Sequence, residues 1–138
     1  MKKKLFFLLL LIVIAVLAGV KSCRSHSLPS RQREELNVAD YAKETEFAKE
    51  AVALVPHRIR EFSRLWQSRG DVYQNALQLL KEHPVQSPQV LSVYRFASNP
   101  NVISVVLAGT ESESLIVCIW NGGQRLLITD IYREDSEQ

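Results

Sequence analysis

The chain has 138 residues, of which 46% are hydrophobic, and its 17 Lys and Arg residues nearly balance 15 Asp and Glu residues. This length is enough for one small domain with a single core. The charge balance excludes a general nucleic-acid binder, which needs a clear basic excess. Two cysteines do not make a disulfide framework.

Residues 1–22 predict a membrane anchor or signal segment. Three lysines at positions 2–4 precede an uncharged apolar run, residues 5–20. As a helix this run is about 24 Å long, close to the lower limit for crossing a hydrocarbon core about 30 Å thick. We expect an uncleaved single-pass anchor that contacts lipid through residues 5–20. The lysines favour a cytoplasmic N-terminus, with the rest of the chain exported to the periplasmic or extracellular side.

Two alternatives to an uncleaved anchor stay open. A basic start and a short apolar core also describe a cleaved signal peptide, for which Val16-Leu17-Ala18 supplies the best cleavage site. A lipoprotein attached through Cys23 is the other alternative. Val20 and Ser22 suit a lipid-attachment motif, but Lys21 places a charge where a small neutral residue is needed.

The remaining chain predicts a Ser-rich linker at 23–30, a single domain at 31–133 and a polar tail at 134–138. Apolar residues recur at three- and four-residue spacing between 31 and 83, which predicts two or three helices. Pro56 ends or kinks the first helix and Gly70 follows the second. Asp71 with Gln74 resembles a capping box that opens the third helix.

After Pro84 the apolar period changes from 3.6 to 2, which predicts β-strands. Four runs carry this pattern, residues 91–97, 102–108, 114–120 and 125–133, and short connections join them. One of these connections, Asn99-Pro100-Asn101, is predicted to separate the first two strands. Helices followed by strands indicate an α+β fold, with the helices packed on a four-stranded antiparallel meander. Residues 115–120 are apolar throughout, which predicts a central strand that is covered on both faces or buried by a partner.

No catalytic constellation is present in the sequence. His26, His57 and His83 are isolated from one another and do not form a zinc-binding pair. A glycine-rich phosphate loop and a Gly-x-Ser-x-Gly nucleophile motif are both missing. We therefore expect no metal and no cofactor, and enzymatic activity is the less favoured interpretation.

Two groups of polar residues are candidate binding sites. His57, Arg60 and Arg64 are spaced to share one helix face and suit an anionic lipid or an acidic partner, because guanidinium groups bind paired oxygens. Tyr94, Arg95 and Asp130 are candidates for a cleft between sheet and helices. We expect Arg95 to pair with Asp130, and Asp130 to share a strand face with Ile128 and Tyr132.

The stretch YQNALQLLKEHP, followed by VVLAGTESESLIVCIWNGGQRLLITDIYR, resembles the cytochrome oxidase assembly factor group over residues 72–133. That resemblance implies a small membrane-anchored domain that chaperones or tethers membrane complexes. Trp120 precedes the glycine turn here, whereas the aromatic residue follows it in that group. No functional residue is carried over from the resemblance.

Together these patterns favour a membrane-anchored, non-catalytic module for protein interaction or assembly, exposed outside the cytoplasm. One alternative is an exported α+β domain that binds or converts a small ligand in a cleft between sheet and helices. Another is an envelope lipoprotein attached through Cys23. The expected partners are membrane lipid and a protein, without nucleic acid.

Overall fold

The computed structural model describes residues 32–109 and 113–135. The predicted anchor at 1–22, the linker at 23–30 and Cys23 lie outside this described part. None of the helices within it is long and apolar enough to cross a membrane.

The described residues form an α+β fold with one antiparallel sheet, as the sequence predicts. In chain order the elements are β1 (Arg33–Leu36), a 3-10 turn (Val38–Tyr41), α1 (Ala42–Ala53), α2 (Ile59–Arg64), α3 (Asp71–Glu82), β2 (Val90–Phe96), β3 (Asn99–Ala108), β4 (Glu113–Trp120) and β5 (Leu127–Asp135). The strand order is β1-β2-β3-β4-β5, which is a meander. The sheet has five strands and not four, and β5 extends into the predicted tail.

The additional strand is β1, which lies in a region predicted to be helical. Its sequence is REEL, which lacks β-branched and aromatic side chains. It pairs along the edge of β2, where Glu34 lies opposite Arg95 and Leu36 opposite Val93. Cross-strand pairing and the burial of Leu36 outweigh the weak strand preference of the sequence here.

The three helices bury the apolar faces that their periodicity predicts. α1 buries Ala48, Ala51 and Val52, and it ends before Pro56. α3 buries Tyr73, Ala76, Leu77 and Leu80. The predicted capping box is wrong, because Gly70 is the N-cap of α3 and makes no side-chain cap hydrogen bond.

One face of the sheet packs against the helices and forms the main core. The sheet contributes Val93, Ile103, Val105, Leu107, Leu115, Val117, Ile119, Ile128 and Ile131. From the helical side, Phe62, Trp66 and Tyr73 form an aromatic cluster with ring centroids 5.3 to 6.0 Å apart. This interface is filled by apolar side chains.

Two irregularities in the sheet change which side chains share a face. Between β4 and β5 the register shifts, so that Cys118 lies opposite Asp130 but Ile119 lies opposite Ile128. Thr129 is the extra residue of this bulge, and Ile128 therefore faces the helices while Asp130 faces away. The predicted common face of Ile128 and Asp130 is wrong for this reason.

The second irregularity lies where β2 turns into β3. β3 begins at Asn99 and includes Pro100, so Asn99-Pro100-Asn101 does not separate the two strands. Pro100 is tolerated because the ladder jumps here from Tyr94 opposite Ser104 to Phe96 opposite Asn99.

Candidate functional site

The face of the sheet that points away from the helices carries a row of polar side chains. Tyr94, Ser104, Cys118 and Asp130 are successive cross-strand partners from β2 to β5. Tyr94 and Ser104 are buried, whereas Cys118 and Asp130 are partly exposed. Val106 and Ile116 form a small second apolar cluster with Tyr94 beside this row.

A contact between the first and last strands shows that this face is concave. Arg33 on β1 donates from Nη2 to both carboxylate oxygens of Glu134 on β5, at 2.8 and 3.0 Å. The strands are four positions apart, which in a flat sheet is about 19 Å and beyond the combined reach of the two side chains. The sheet therefore curls toward this face. The Arg33 guanidinium also lies 4.3 Å from the centroid of the Tyr94 ring, in cation–π geometry.

Tyr94 and Tyr132 meet across the concave face. Their hydroxyl groups lie 3.4 Å apart, and either one can donate. Burial, followed by the hydrogen bond with Tyr94, raises the pKa of Tyr132 above its ordinary value. Tyr132 is therefore a neutral hydrogen-bonding group at physiological pH.

Cys118 is an inert thiol in this setting. Burial raises its pKa to about 11, although the contact with Ser104 acts in the opposite direction. The Ser104 oxygen and the Cys118 sulfur lie 3.7 Å apart. Because the thiolate is the nucleophile, this cysteine is unsuited to covalent chemistry at neutral pH.

Asp130 and Arg95 do not form the expected pair. Arg95 lies on the helix side of β2 and contacts Glu34, with Nε to Oε2 at 3.0 Å. Asp130 and Tyr94 point to the opposite side of the sheet. Burial raises the pKa of Asp130, partly offset by a hydrogen bond from the Ile131 backbone. The three residues therefore do not line one cleft between sheet and helices.

The candidate basic group is exposed but does not share one helix face. His57 lies in the turn before α2, which begins at Ile59. Arg60 and Arg64 are one helical turn apart and project together. All three side chains are exposed. Among the described residues, neither Arg60 nor Arg64 forms an ion pair.

An open groove lies between α1 and α2, and we call it the α1–α2 groove. It encloses about 550 Å³ and is lined by Phe47, Glu50, Ala53, Leu54, Arg58, Glu61 and Leu65. Arg60 and Arg64 lie on α2 outside its lining. The three large apolar residues, Phe47, Leu54 and Leu65, are only partly buried against the core. The groove thus combines an accessible apolar floor with charged rims.

The rims of the α1–α2 groove carry different charges. On the α1 side, Glu50 is exposed and forms no ion pair within the described residues. On the α2 side, Arg58 and Glu61 neutralise each other at 2.7 Å. Arg64 lies on the neighbouring face of α2 and adds an unpaired positive charge there.

The described residues contain no group of His, Cys, Asp and Glu side chains that could hold a metal ion. His83 is the C-cap of α3, and its backbone donates to Leu79 at 2.9 Å. His26 and Cys23 lie outside the described residues.

Several residues of the concave face and of the α1–α2 groove are not predicted as site residues by the sequence. Arg33 and Glu134 are 101 positions apart, and nothing local connects them. Because side chains alternate along β5, Tyr132 points to the side of the sheet away from the helices, whereas its neighbour Ile131 faces them. Phe47, Leu54 and Leu65 are recognisable as apolar periodic positions, but their periodicity does not reveal that they are left partly uncovered.

No protein-family model, curated protein or solved structure matches this chain.

Proposed function

We propose that the protein is a membrane-anchored, non-catalytic interaction module whose folded domain binds another protein outside the cytoplasm. The observation that carries this proposal is the α1–α2 groove, an accessible apolar surface between two helices, with the unpaired Arg64 on the neighbouring face of α2. Accessible apolar surface rimmed by polar side chains is typical of protein-interaction sites. The resemblance over residues 72–133 supports an assembly or tethering role for this module.

The chemistry of the polar groups supports a role without catalysis. The concave face holds Cys118 as a thiol and keeps Tyr132 neutral. Arg33 and Glu134 neutralise each other there. None of these groups forms a nucleophile–base pair of the kind that covalent catalysis needs.

Crosslinking in cells tests the interaction. The photoreactive amino acid p-benzoylphenylalanine is placed in the full-length protein at three exposed positions, Ala53 in the groove, Val72 on α3 and Leu91 on β2. We expect a discrete protein adduct from at least one of them. Adducts with lipid alone, or none from any position, argue against an interaction module.

The mass of the protein in the membrane fraction tests the anchor. A full-length mass supports the uncleaved anchor through residues 5–20. The mass of a chain that begins after Ala18 shows a cleaved signal and removes the anchor from the proposal. Added acyl mass on Cys23 supports the lipoprotein alternative. Protease treatment of intact and of permeabilised cells then shows which side of the membrane the domain occupies.

A second candidate function is small-ligand binding on the concave face. The observation that favours it is the row of Ser104, Cys118 and Asp130, which places hydrogen-bonding groups next to Tyr132. Because Cys118 and Asp130 are partly exposed, a ligand has access to this end of the row. Ligand-induced chemical-shift changes at Asp130 and Tyr132, absent from α1 and α2, are the expected sign of this function.

A further inference from the structure

We propose that the α1–α2 groove binds a short amphipathic helix of a partner protein, with acidic side chains along the α2 rim and a basic side chain along the α1 rim. This inference rests on the proposed function and names the class of partner.

The shape of the groove fits about two turns of a helix. On α1 its lining extends from Phe47 to Leu54, seven residues and therefore about 10 Å. Helices bound each of its long sides, so no strand edge is available there to a peptide in extended form. Helix-in-groove binding uses apolar anchors at i and i+3 or i+4. Two such anchors match the floor that Phe47, Leu54 and Leu65 provide.

The charges select which helix binds. Glu50 leaves an unpaired negative charge on the α1 rim, and Arg64, with Arg60 beside it, leaves unpaired positive charge on the α2 side. A bound helix with Lys or Arg on one flank and Asp or Glu on the other satisfies both rims. A helix with flanks of a single charge satisfies one rim and is repelled by the other, which is how charge sets specificity at an interface.

The same charges disfavour an anionic lipid surface as the occupant. Lipid phosphates match Arg60 and Arg64, but they meet the unpaired carboxylate of Glu50 along the groove. A flat headgroup layer also leaves the apolar floor between the helices unfilled. The occupant of the groove is therefore a protein, and the experiment below distinguishes it from a membrane lipid.

The test uses full-length protein in a neutral detergent and fluorescent, lactam-bridged helical peptides that carry two leucines four positions apart. The peptides differ only in their flanks, which are mixed Lys and Glu, all Lys, or all Glu. Fluorescence anisotropy gives each dissociation constant. We expect the mixed peptide to bind roughly fivefold more tightly than either single-charge peptide, the range of a few exposed ion pairs.

Protein variants identify the groove as the binding site. Ala53→Trp fills the groove and is expected to abolish binding, whereas Val72→Trp at an exposed position of α3 leaves it unchanged. Glu50→Arg makes both rims positive and is expected to shift the preference to the all-Glu peptide. Lys81→Glu is the matched charge control on α3 and should leave the relative affinities of the three peptides unchanged.

Unchanged binding in Ala53→Trp, or a preference that does not follow Glu50→Arg, overturns the inference. So does loss of binding of the all-Glu peptide, which anionic vesicles repel, on addition of phosphatidylglycerol vesicles when vesicles of neutral lipid have no effect, because lipid then occupies the groove. In cells, protein adducts from Val72 or Leu91 but none from Ala53 refute the helix-in-groove site while the interaction module stands. Adducts with lipid alone from all three positions refute both.

Discussion

At the scale of single residues, Gly109 shows why the turn between β3 and β4 requires glycine. A Cβ atom at this position would lie 2.6 Å from the carbonyl oxygen of Glu113, the same oxygen that accepts the Gly109 N–H at 3.1 Å. The chain cannot separate these two atoms without also stretching this hydrogen bond. A side chain at Gly109 therefore disturbs the pairing of β3 with β4.

We expect Gly109→Ala to lower the free energy of unfolding by about 1–3 kcal/mol, the usual range for a steric insertion. Urea denaturation measures the change, with the dependence of the unfolding free energy on urea concentration held equal for the two proteins. Gly70→Ala is the matched control, since the nearest atom to its added Cβ is 3.9 Å away. Equal midpoints for the two variants would show that the turn relaxes around the methyl group.

Asp130 makes stability depend on pH. Burial raises its pKa in the folded chain, whereas in the unfolded chain an aspartate titrates near pH 4. The folded chain therefore binds more protons between these two values, and the free energy of unfolding falls as pH rises through this window. The charged form of Asp130 thus opposes folding at neutral pH.

We expect Asp130→Asn to raise the melting temperature at pH 7 and to leave it unchanged at pH 3, where both side chains are neutral. Thermal denaturation followed by circular dichroism at the two pH values is the measurement. Glu50→Gln, at an exposed position of α1, should show no comparable difference between pH 7 and pH 3. A lower melting temperature for Asp130→Asn at pH 7 would mean that the carboxylate has a favourable contact.

At the scale of elements, the segment that follows α2 supports the outer edge of β5. Gln67 donates its backbone N–H to Ile128 at 2.9 Å, and Ile128 donates to Leu65 at 2.7 Å. Trp66 is buried between these two bonds and packs in the aromatic cluster. The edge of β5 is thereby joined to the helical layer by backbone hydrogen bonds as well as by side chains.

Gln67→Pro removes the first of these donors. We expect it to lower the free energy of unfolding by about 1–3 kcal/mol, because the Ile128 carbonyl loses its partner. Gln67→Ala keeps the backbone N–H and should leave stability nearly unchanged, since this side chain is exposed. Similar urea midpoints for both variants would show that the bond to Ile128 contributes little.

The elements also show where sequence patterns are sufficient and where they fail. Strands β2 to β5 and the three helices follow from apolar periodicity, and only the bulge at Thr129 interrupts the alternation of β5. β1 could not be predicted, since its pairing depends on the exposed edge of β2 and not on its own residues. The face on which Asp130 lies could not be predicted either, because one extra residue at Thr129 reverses the alternation.

At the scale of the whole molecule, the candidate sites depend on how the helices and strands pack together. The α1–α2 groove arises from two helices that leave Phe47 and Leu65 partly uncovered, and periodicity only marks such residues as apolar. On the concave face, Arg33 and Glu134 meet although they are 101 positions apart in the sequence. Tyr94 and Asp130 are recognisable from the sequence as candidate site residues. The curl of the sheet, however, decides which side chains lie close together.

The contact between Arg33 and Glu134 is measurable by a double-mutant cycle with Arg33→Gln and Glu134→Gln. We expect a coupling energy of about 0.5–1 kcal/mol at low salt, because both side chains are partly exposed. The coupling should decrease in 1 M NaCl, since salt screens exposed pairs. Additive effects of the two substitutions would show that the pair does not stabilise the curl.

The curl of the sheet also brings the beginning and the end of the folded region to one place. A domain whose ends lie together can be inserted into a surface loop of a host protein without spanning linkers, and its chain can be circularly permuted. In evolutionary terms such a fold is portable. It can be gained by another protein without any rearrangement of its strands.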